Sequence, residues 1–185
     1  KSAIMTFSPH PKIFFKKNDG AFNIITSDYK KLFLDSLGIQ NYIEYSFNKT
    51  LSNLSAIEFI EKVLVKQLNV RKIIVGNDFR FGKNRSGDTK LLKSLSSKYN
   101  YKLISISHIK NNNTHLKYSS SAIRKNIEKG QFEKVTEALG RSWQMNGKVI
   151  KGKQKARLIN FPTANIRPGK QIYPKKGVYC VNVLF

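Results

Sequence analysis

A single cysteine, Cys180, leaves this 185-residue chain no partner for an intrachain disulfide, so a disulfide-stapled secreted scaffold is excluded. Set in the apolar run GVYCVNVLF, Cys180 is expected to be a small core residue, as suits a reducing compartment. No apolar run approaches the roughly 20 residues of a membrane span. The start, KSAIMTFSPHP, has no basic stretch leading into a long apolar one, so it does not read as a signal peptide. A cytoplasmic chain with no membrane partner is expected. Internal repeats are absent, and KNNNTH is the one low-complexity patch. Acidic residues are scarce, 11 against 34 basic, which gives a formal net charge of +23.

Such a charge can mark a nucleic-acid binder. The balance within it points elsewhere: 27 lysines stand against 7 arginines, whereas arginine is the better residue for bidentate phosphate or base recognition. The lysines are scattered among asparagines and isoleucines, as a codon bias toward A and T would scatter them. The charge is read as a background that attracts anionic ligands, not as a nucleic-acid interface. What the chain has in quantity is apolar and aromatic surface. Apolar residues make up 40%, with 12 Phe and 8 Tyr, enough for a packed core and too much for disorder. The chain begins at Lys1 just before an apolar strand and stops inside VYCVNVLF, so an internal piece of a longer protein is expected.

Along the first two-thirds, short apolar runs alternate with helical patterns. AIMTF, YIEYSF, KIIV and KLISIS read as strands. SDYKKLFLDSLG reads as a helix with Ser27 as N-cap and Gly38 as stop. LSAIEFIEKVLVKQL carries a capping box, Ser55 with Glu58, and a staple between Leu54 and Phe59. Its Phe59, Ile60, Val63, Leu64 and Leu68 fall on one helical face. DTKLLKSLSSKY, SSAIRKNIEKG and QFEKVTEAL complete the helices. KIIV, apolar throughout, predicts a strand buried on both faces. The alternation predicts a doubly wound α/β domain over residues 1–138. After Leu139 helical patterns stop, and Gly, Pro and short β-prone runs predict the beginning of a small β-barrel or sandwich over 139–185.

Three unusual stretches follow strands: SPHP after AIMTF, GNDFRFG after KIIV, and YSSSAIR after KLISIS and a polar loop. Ligands of open parallel sheets bind at the carboxyl ends of strands, so the three are expected along one rim. Prolines on both sides of His10 fix its backbone; taken alone, SPHP is better read as a rigid turn. Serines before AIR suit an ordinary helix N-cap, and they equally suit a phosphate site at a helix N-terminus, with Arg124 one turn beyond Ser120 and Ser121. In GNDFRFGKNRSGD, Asp78 with Asn77 and Arg80 forms a polar group. Phe79 and Phe81 share one side of an extended segment, and Gly76, Gly82 and Gly87 permit close approach of a ligand. A solvated loop has little use for two phenylalanines. In NFPTANI, Thr163 and Asn165 can aim oxygens at one Mg²⁺ or one phosphate; a Pro-initiated turn is the competing reading.

The ordered set TFSPHP, VGNDFRFGKNRSGD, YSSSAIR, LGRSWQMNGKVIKG, FPTANI and PKKGVYCV resembles the prokaryotic bifunctional riboflavin kinase/FMN adenylyltransferase family, the FAD synthetases. The resemblance runs over essentially the whole chain. It implies a Rossmann-like nucleotidylyltransferase domain (1–138, lacking its first part) and the start of a riboflavin kinase barrel (139–185, lacking its last). It implies ATP, FMN and riboflavin as substrates, Mg²⁺ as the metal, and no specific protein partner. His10, Asp78 and Arg124 would be catalytic. Ser119, Ser120, Ser121 and Arg124 would bind the triphosphate, Asn77, Asp78, Phe79 and Phe81 the flavin, and Thr163 and Asn165 Mg·ATP in the kinase half. The family's first glycine- and histidine-rich motif belongs upstream of Lys1 and the kinase's glutamate beyond Phe185, so poor activity is expected of residues 1–185 by themselves. Ser121 stands where the family commonly has Thr, and Ala156 and Asn160 where it commonly has Gly. Two other classes fit parts of the sequence: a basic nucleic-acid-binding module, and an adenylyltransferase for another phosphorylated acceptor.

Overall fold

The computed structural model describes residues 1–16, 21–110, 117–152 and 160–184. KNNNTH beyond Lys110, and the loop residues before Asn160 that include Ala156, lie outside the described residues. The chain forms two compact units. The first comprises Met5–Lys17 and Ile43–Lys117; the second comprises Lys1–Ile4, Asn18–Tyr42 and Tyr118–Phe185.

Strand β1 (Ala3–Ser8) pairs with β2 (Asn41–Ser46). Asn41 N–H bonds Ser2 O and Phe47 N–H bonds Ser8 O, the same offset at both ends, so the two run parallel. In the first unit, β3 (Lys72–Gly76) and β4 (Lys102–Ile106) also pair in parallel, in register from Lys72 opposite Lys102 to Gly76 opposite Ile106. In chain order, helices α1 (Pro11–Lys16) and α2 (Ser27–Ser36) lie between β1 and β2, and α3 (Lys49–Asn53) and α4 (Ala56–Glu58) between β2 and β3. Helix α5 (Thr89–Leu95) connects β3 to β4. The fold is mixed α/β with parallel strand pairs, rather than one continuous sheet among the described residues.

Helix α4 starts where the sequence placed it. Ser55 Oγ accepts from Glu58 N–H at 3.2 Å, and Glu58 Oε2 accepts from Ser55 N–H at 2.9 Å. The helix then widens into π-type turns over Phe59–Gln67, closed by Leu68 N–H on Val63 O five residues back. Phe59, Ile60, Val63 and Leu64 are buried there with Ile73, Phe81, Leu92 and Tyr101. Burying each such side chain contributes about 1.5–3 kcal/mol. The KIIV run is covered on one face only. Ile73 is buried while Ile74, pointing to the opposite face, is 56% exposed, since successive strand residues alternate sides.

In the second unit, α2 is capped by Thr26, one residue earlier than expected, whose Oγ1 accepts from Tyr29 N–H. Gly38 follows with φ +75°, the left-handed backbone that ends the helix. Helices α6 (Ser120–Glu128) and α7 (Phe132–Leu139) bury Ile123, Ile127 and Val135 with Ile172, against Ile24, Leu139 and Trp143. Beyond α7, β5 (Lys148–Ile150) and β6 (Asn165–Arg167) form one antiparallel pair. The expected strand at VYCVNVLF does not form among the described residues. Without ladder partners an apolar β-prone run has nothing to hold it extended, and Cys180, expected in a core, is exposed.

Candidate functional site

The carboxyl ends of β3 and β4 are tied together just past the strands, where Asn77 N–H bonds Ile106 O at 3.0 Å. A turn closed by Phe79 N–H on Gly76 O then projects Asp78 outward, 59% exposed. Two basic side chains converge on its Oδ2: Lys117 Nζ at 2.9 Å and His108 Nε2 at 3.0 Å, and these two nitrogens are 3.1 Å apart. Nε2 can accept from Lys117 or, when it carries the proton, donate to Asp78. The Lys117 hydrogen bond, with the positive charges of His108 and Lys117, holds the Asp78 carboxyl below its usual pKa against a smaller opposing effect of burial. Asp78 Oδ1 lies 3.3 Å from where a Cβ on Gly76 would be, so glycine gives the carboxylate room to sit over the strand end.

The two phenylalanines leave this rim for the interior. Phe81 is 7% exposed, stacked on Phe79 with ring centroids 5.4 Å apart and tilted against Phe59 at 5.6 Å. Phe81 and Gly87 bond each other's backbone, closing the loop as a small hairpin. Added Cβ atoms would lie 2.7 Å from the Ala56 backbone at Gly82 and 2.7 Å from the Phe81 ring at Gly87. These glycines thus let the loop approach its own helix and ring. Arg80 pairs with Asp88 at 2.9 Å, and Asp88 caps α5 through Leu91 N–H. The loop is a built, packed element with a polar tip, not a solvated connection.

His10 follows the cis Ser8–Pro9 bond and opens α1, its carbonyl accepting from Ile13 and Phe14 N–H. Its Nδ1 accepts from Lys12 N–H at 3.1 Å, which assigns the proton of the neutral ring to Nε2. In the second unit, Ser119 caps α6 by accepting from Ala122 N–H, and Ser120 and Ser121 form the first turn. Arg124 lies one turn on, stacked over Phe22 with its Cζ 3.7 Å from the ring centroid, and its Nε donates to Phe22 O at 2.9 Å. Burial lowers the pKa of the guanidinium, yet an arginine keeps its charge.

Asn165 begins β6 opposite Ile150, and Thr163 precedes it on an exposed stretch. The Asn165 side chain occupies the space over Gly152, where an added Cβ would meet Nδ2 at 2.0 Å. Two neutral side-chain oxygens of this kind could add to the coordination of a Mg²⁺ whose charge other ligands neutralise. Among the described residues no cluster of three or more His, Cys, Asp or Glu could hold a metal by itself. Asn160 has φ +56°, a left-handed conformation that asparagine tolerates where glycine would otherwise serve.

His108, Lys117, Phe22 and Gly152 take part in these arrangements without having been singled out in the sequence. His108 had a signal, because it follows KLISIS as His10 follows AIMTF. Phe22 had none, since its partner is 102 residues away.

The model of the FAD synthetase family matches residues 1–122. The chain belongs to this family. Its continuation, residues 139–185, matches the riboflavin kinase model. A bifunctional riboflavin kinase/FMN adenylyltransferase of Buchnera aphidicola subsp. Schizaphis graminum is 36% identical over 182 residues, covering 98% of this chain and 58% of that protein. The protein of that name from Escherichia coli (strain K12) is 32% identical over 181 residues, covering 98% and 57%. This FAD synthetase-family chain therefore spans little more than half the length of these relatives. Among solved structures, a Streptococcus pneumoniae protein described as a macrolide-efflux protein superposes with a TM-score of 0.76 at 25% identity, over 96% of this chain and 57% of that one. Among the described residues no helix is long and apolar enough to cross a membrane.

Proposed function

We propose that the protein carrying this chain makes FAD by transferring AMP from Mg·ATP to FMN, and that residues 139–185 belong to a module that phosphorylates riboflavin to FMN. The observation that carries this reading is the succession of two family matches in one chain, FAD synthetase then riboflavin kinase. The comparisons name relatives described as bifunctional for these two activities.

In the first reaction an oxygen of the FMN phosphate attacks the α-phosphorus of ATP. A new P–O bond forms, the bond to the β-phosphate oxygen breaks, and pyrophosphate leaves. The attacking phosphate is already anionic, so no protein nucleophile or general base is needed. Catalysis rests on positioning and charge stabilisation. Ser119, Ser120 and Ser121 at the N-terminus of α6, with Arg124, hold the triphosphate. His10, whose Nε2 is the protonated nitrogen, donates toward phosphate oxygen. Asn77 and Asp78 supply polar contacts to the flavin nucleotide, and the edge of Phe79, backed by Phe81, supplies its apolar wall. In the second reaction Thr163 and Asn165 would hold Mg·ATP while the riboflavin hydroxyl oxygen bonds to the γ-phosphorus, the bond to the β-phosphate oxygen breaks, ADP leaves and the hydroxyl proton is released.

The same reading assigns 1–138 to a Rossmann-like adenylyltransferase domain and 139–185 to a kinase barrel of which β5 and β6 are members. It also assigns a cytoplasmic location, where ATP and flavins are found, and small molecules as the partners. Arg124→Ala tests it. Loss of FAD formation by about a hundredfold, with riboflavin phosphorylation within twofold of the parent, is expected from a charge that acts in one reaction only. Equal loss of both activities contradicts the division of labour.

A further inference from the structure

Arg124 does not hang free from α6. Its guanidinium carbon lies over the Phe22 ring, 3.7 Å from the centroid, and its Nε donates to the Phe22 carbonyl. Phe22 is in turn held by residues that match the riboflavin kinase model. Phe22 and Asn23 N–H both bond Lys170 O at 3.0 Å, Ile172 N–H bonds Asn23 O at 2.9 Å, and Asn23 bridges Gln171 in parallel. Ile24 O receives two side-chain donors, Trp143 Nε1 at 2.8 Å and Gln171 Nε2 at 3.2 Å.

Gln171 is the buried polar residue of this arrangement, 1% exposed. Its Oε1 accepts from Asn146 N–H at 2.8 Å, and its Nε2 also donates to Gln144 O at 2.8 Å. A saturated buried amide specifies one arrangement, because any shift leaves a donor or acceptor without a partner. A turn at Pro168 and Gly169 links Lys170 directly to β6, which carries Asn165. Residues 22–24 are therefore a tether with the Arg124 guanidinium on one end and the kinase-matching segment on the other.

We infer that Phe22 and Gln171 are positioning residues for Arg124, so that adenylyl transfer depends on contacts supplied by the kinase-matching segment. The inference rests on the reading that Arg124 meets the ATP phosphates. An arginine side chain free to rotate loses much of its conformational freedom on binding a phosphate. One stacked on a ring and pinned at Nε is preorganised, with its Nη groups not engaged by the tether. The ring's face also supports the cation in a half-buried place.

The test is steady-state FAD formation by the whole protein carrying this sequence, comparing the parent with Phe22→Leu, Phe22→Tyr, Gln171→Met and Arg124→Ala. Phe22→Leu keeps apolar bulk and the backbone bonds but removes the ring face. It is expected to lower kcat/KM for Mg·ATP by about three- to thirtyfold, the range that a cation–π contact spans, and to leave KM for FMN unchanged. Phe22→Tyr, which restores the face, is expected within twofold of the parent. Gln171→Met, nearly isosteric without the amide, is expected to move the same parameter while riboflavin phosphorylation persists. A general loss of structure would instead lower all parameters together and would not be rescued by tyrosine. Parent-like Mg·ATP kinetics in both Phe22→Leu and Gln171→Met, with Arg124→Ala crippled, overturns the inference and leaves the proposed function standing. Parent-like kinetics in Arg124→Ala overturns both.

Discussion

Asp78 shows at the scale of one residue how the candidate site is held before any ligand arrives. Its carboxylate accepts from Lys117 and lies against His108, and this keeps its pKa below the usual 3.8. A depressed carboxylate contributes stability above its ordinary pKa and loses it as pH falls through the lowered one. A side-chain NMR titration of Asp78 is therefore expected to show a midpoint below 3.8, and Lys117→Ala to move it upward. An unmoved midpoint would mean that the Lys117 bond does not form in solution. Glycine is the residue whose meaning the sequence conveyed least. Gly82 and Gly87 suggested close approach of a ligand, whereas both make room for the protein itself, at Ala56 and Phe81. A sequence states that a Cβ is missing and not which neighbour fills its place. Gly87→Ala is expected to destabilise the fold by about 1–3 kcal/mol, read as a lower denaturant midpoint, because the ring and Ala56 must both shift. An unchanged midpoint would show that the loop is less tightly packed than described.

Elements whose signals are local were legible in the sequence. The Ser55–Glu58 capping box forms with both bonds, and Lys62 at 2.7 Å adds an ion pair to Glu58. The Lys62 bond and the Ser55 bonds together hold the Glu58 carboxyl down from 4.5 to about 2. Its contribution is complete above about pH 4.5 and is lost as the pH falls toward 2. Ser55→Ala is expected to cost about 1 kcal/mol at neutral pH, and Glu58→Gln to flatten the acid limb of the stability curve over that window. An acid limb of unchanged steepness in Glu58→Gln would place the acid sensitivity elsewhere. The caps of α2 and of the short helices were harder to see. Thr26 and Ser27 are adjacent, and both residue types cap helices. Helix α3, capped by Asn48 through Leu51 N–H, is too short to show a period. Strands depend on partners far away in the chain, so KIIV promised burial on two faces and obtained one.

Across the whole molecule the most prominent number in the sequence is a net charge of +23, expected to be a background that attracts anionic ligands. Among the described residues, Lys117 is held by Asp78 in one unit, and Arg124 by Phe22 in the other. FMN with Mg·ATP is expected to raise the thermal midpoint, and RNA to leave it unmoved at physiological salt. A salt-steep rise with RNA alone would favour the nucleic-acid class. SPHP, GNDFRFG and YSSSAIR were legible because each follows a strand or opens a helix. The tether through Phe22 was not, because its contacts join residues remote in sequence. The central claim is that the protein carrying this chain joins AMP to FMN, and its most direct test is chromatography of the products formed from FMN and Mg·ATP. The account predicts FAD and pyrophosphate in equal amounts, with both nearly lost in Arg124→Ala. FMN left unchanged by the folded parent protein would contradict it.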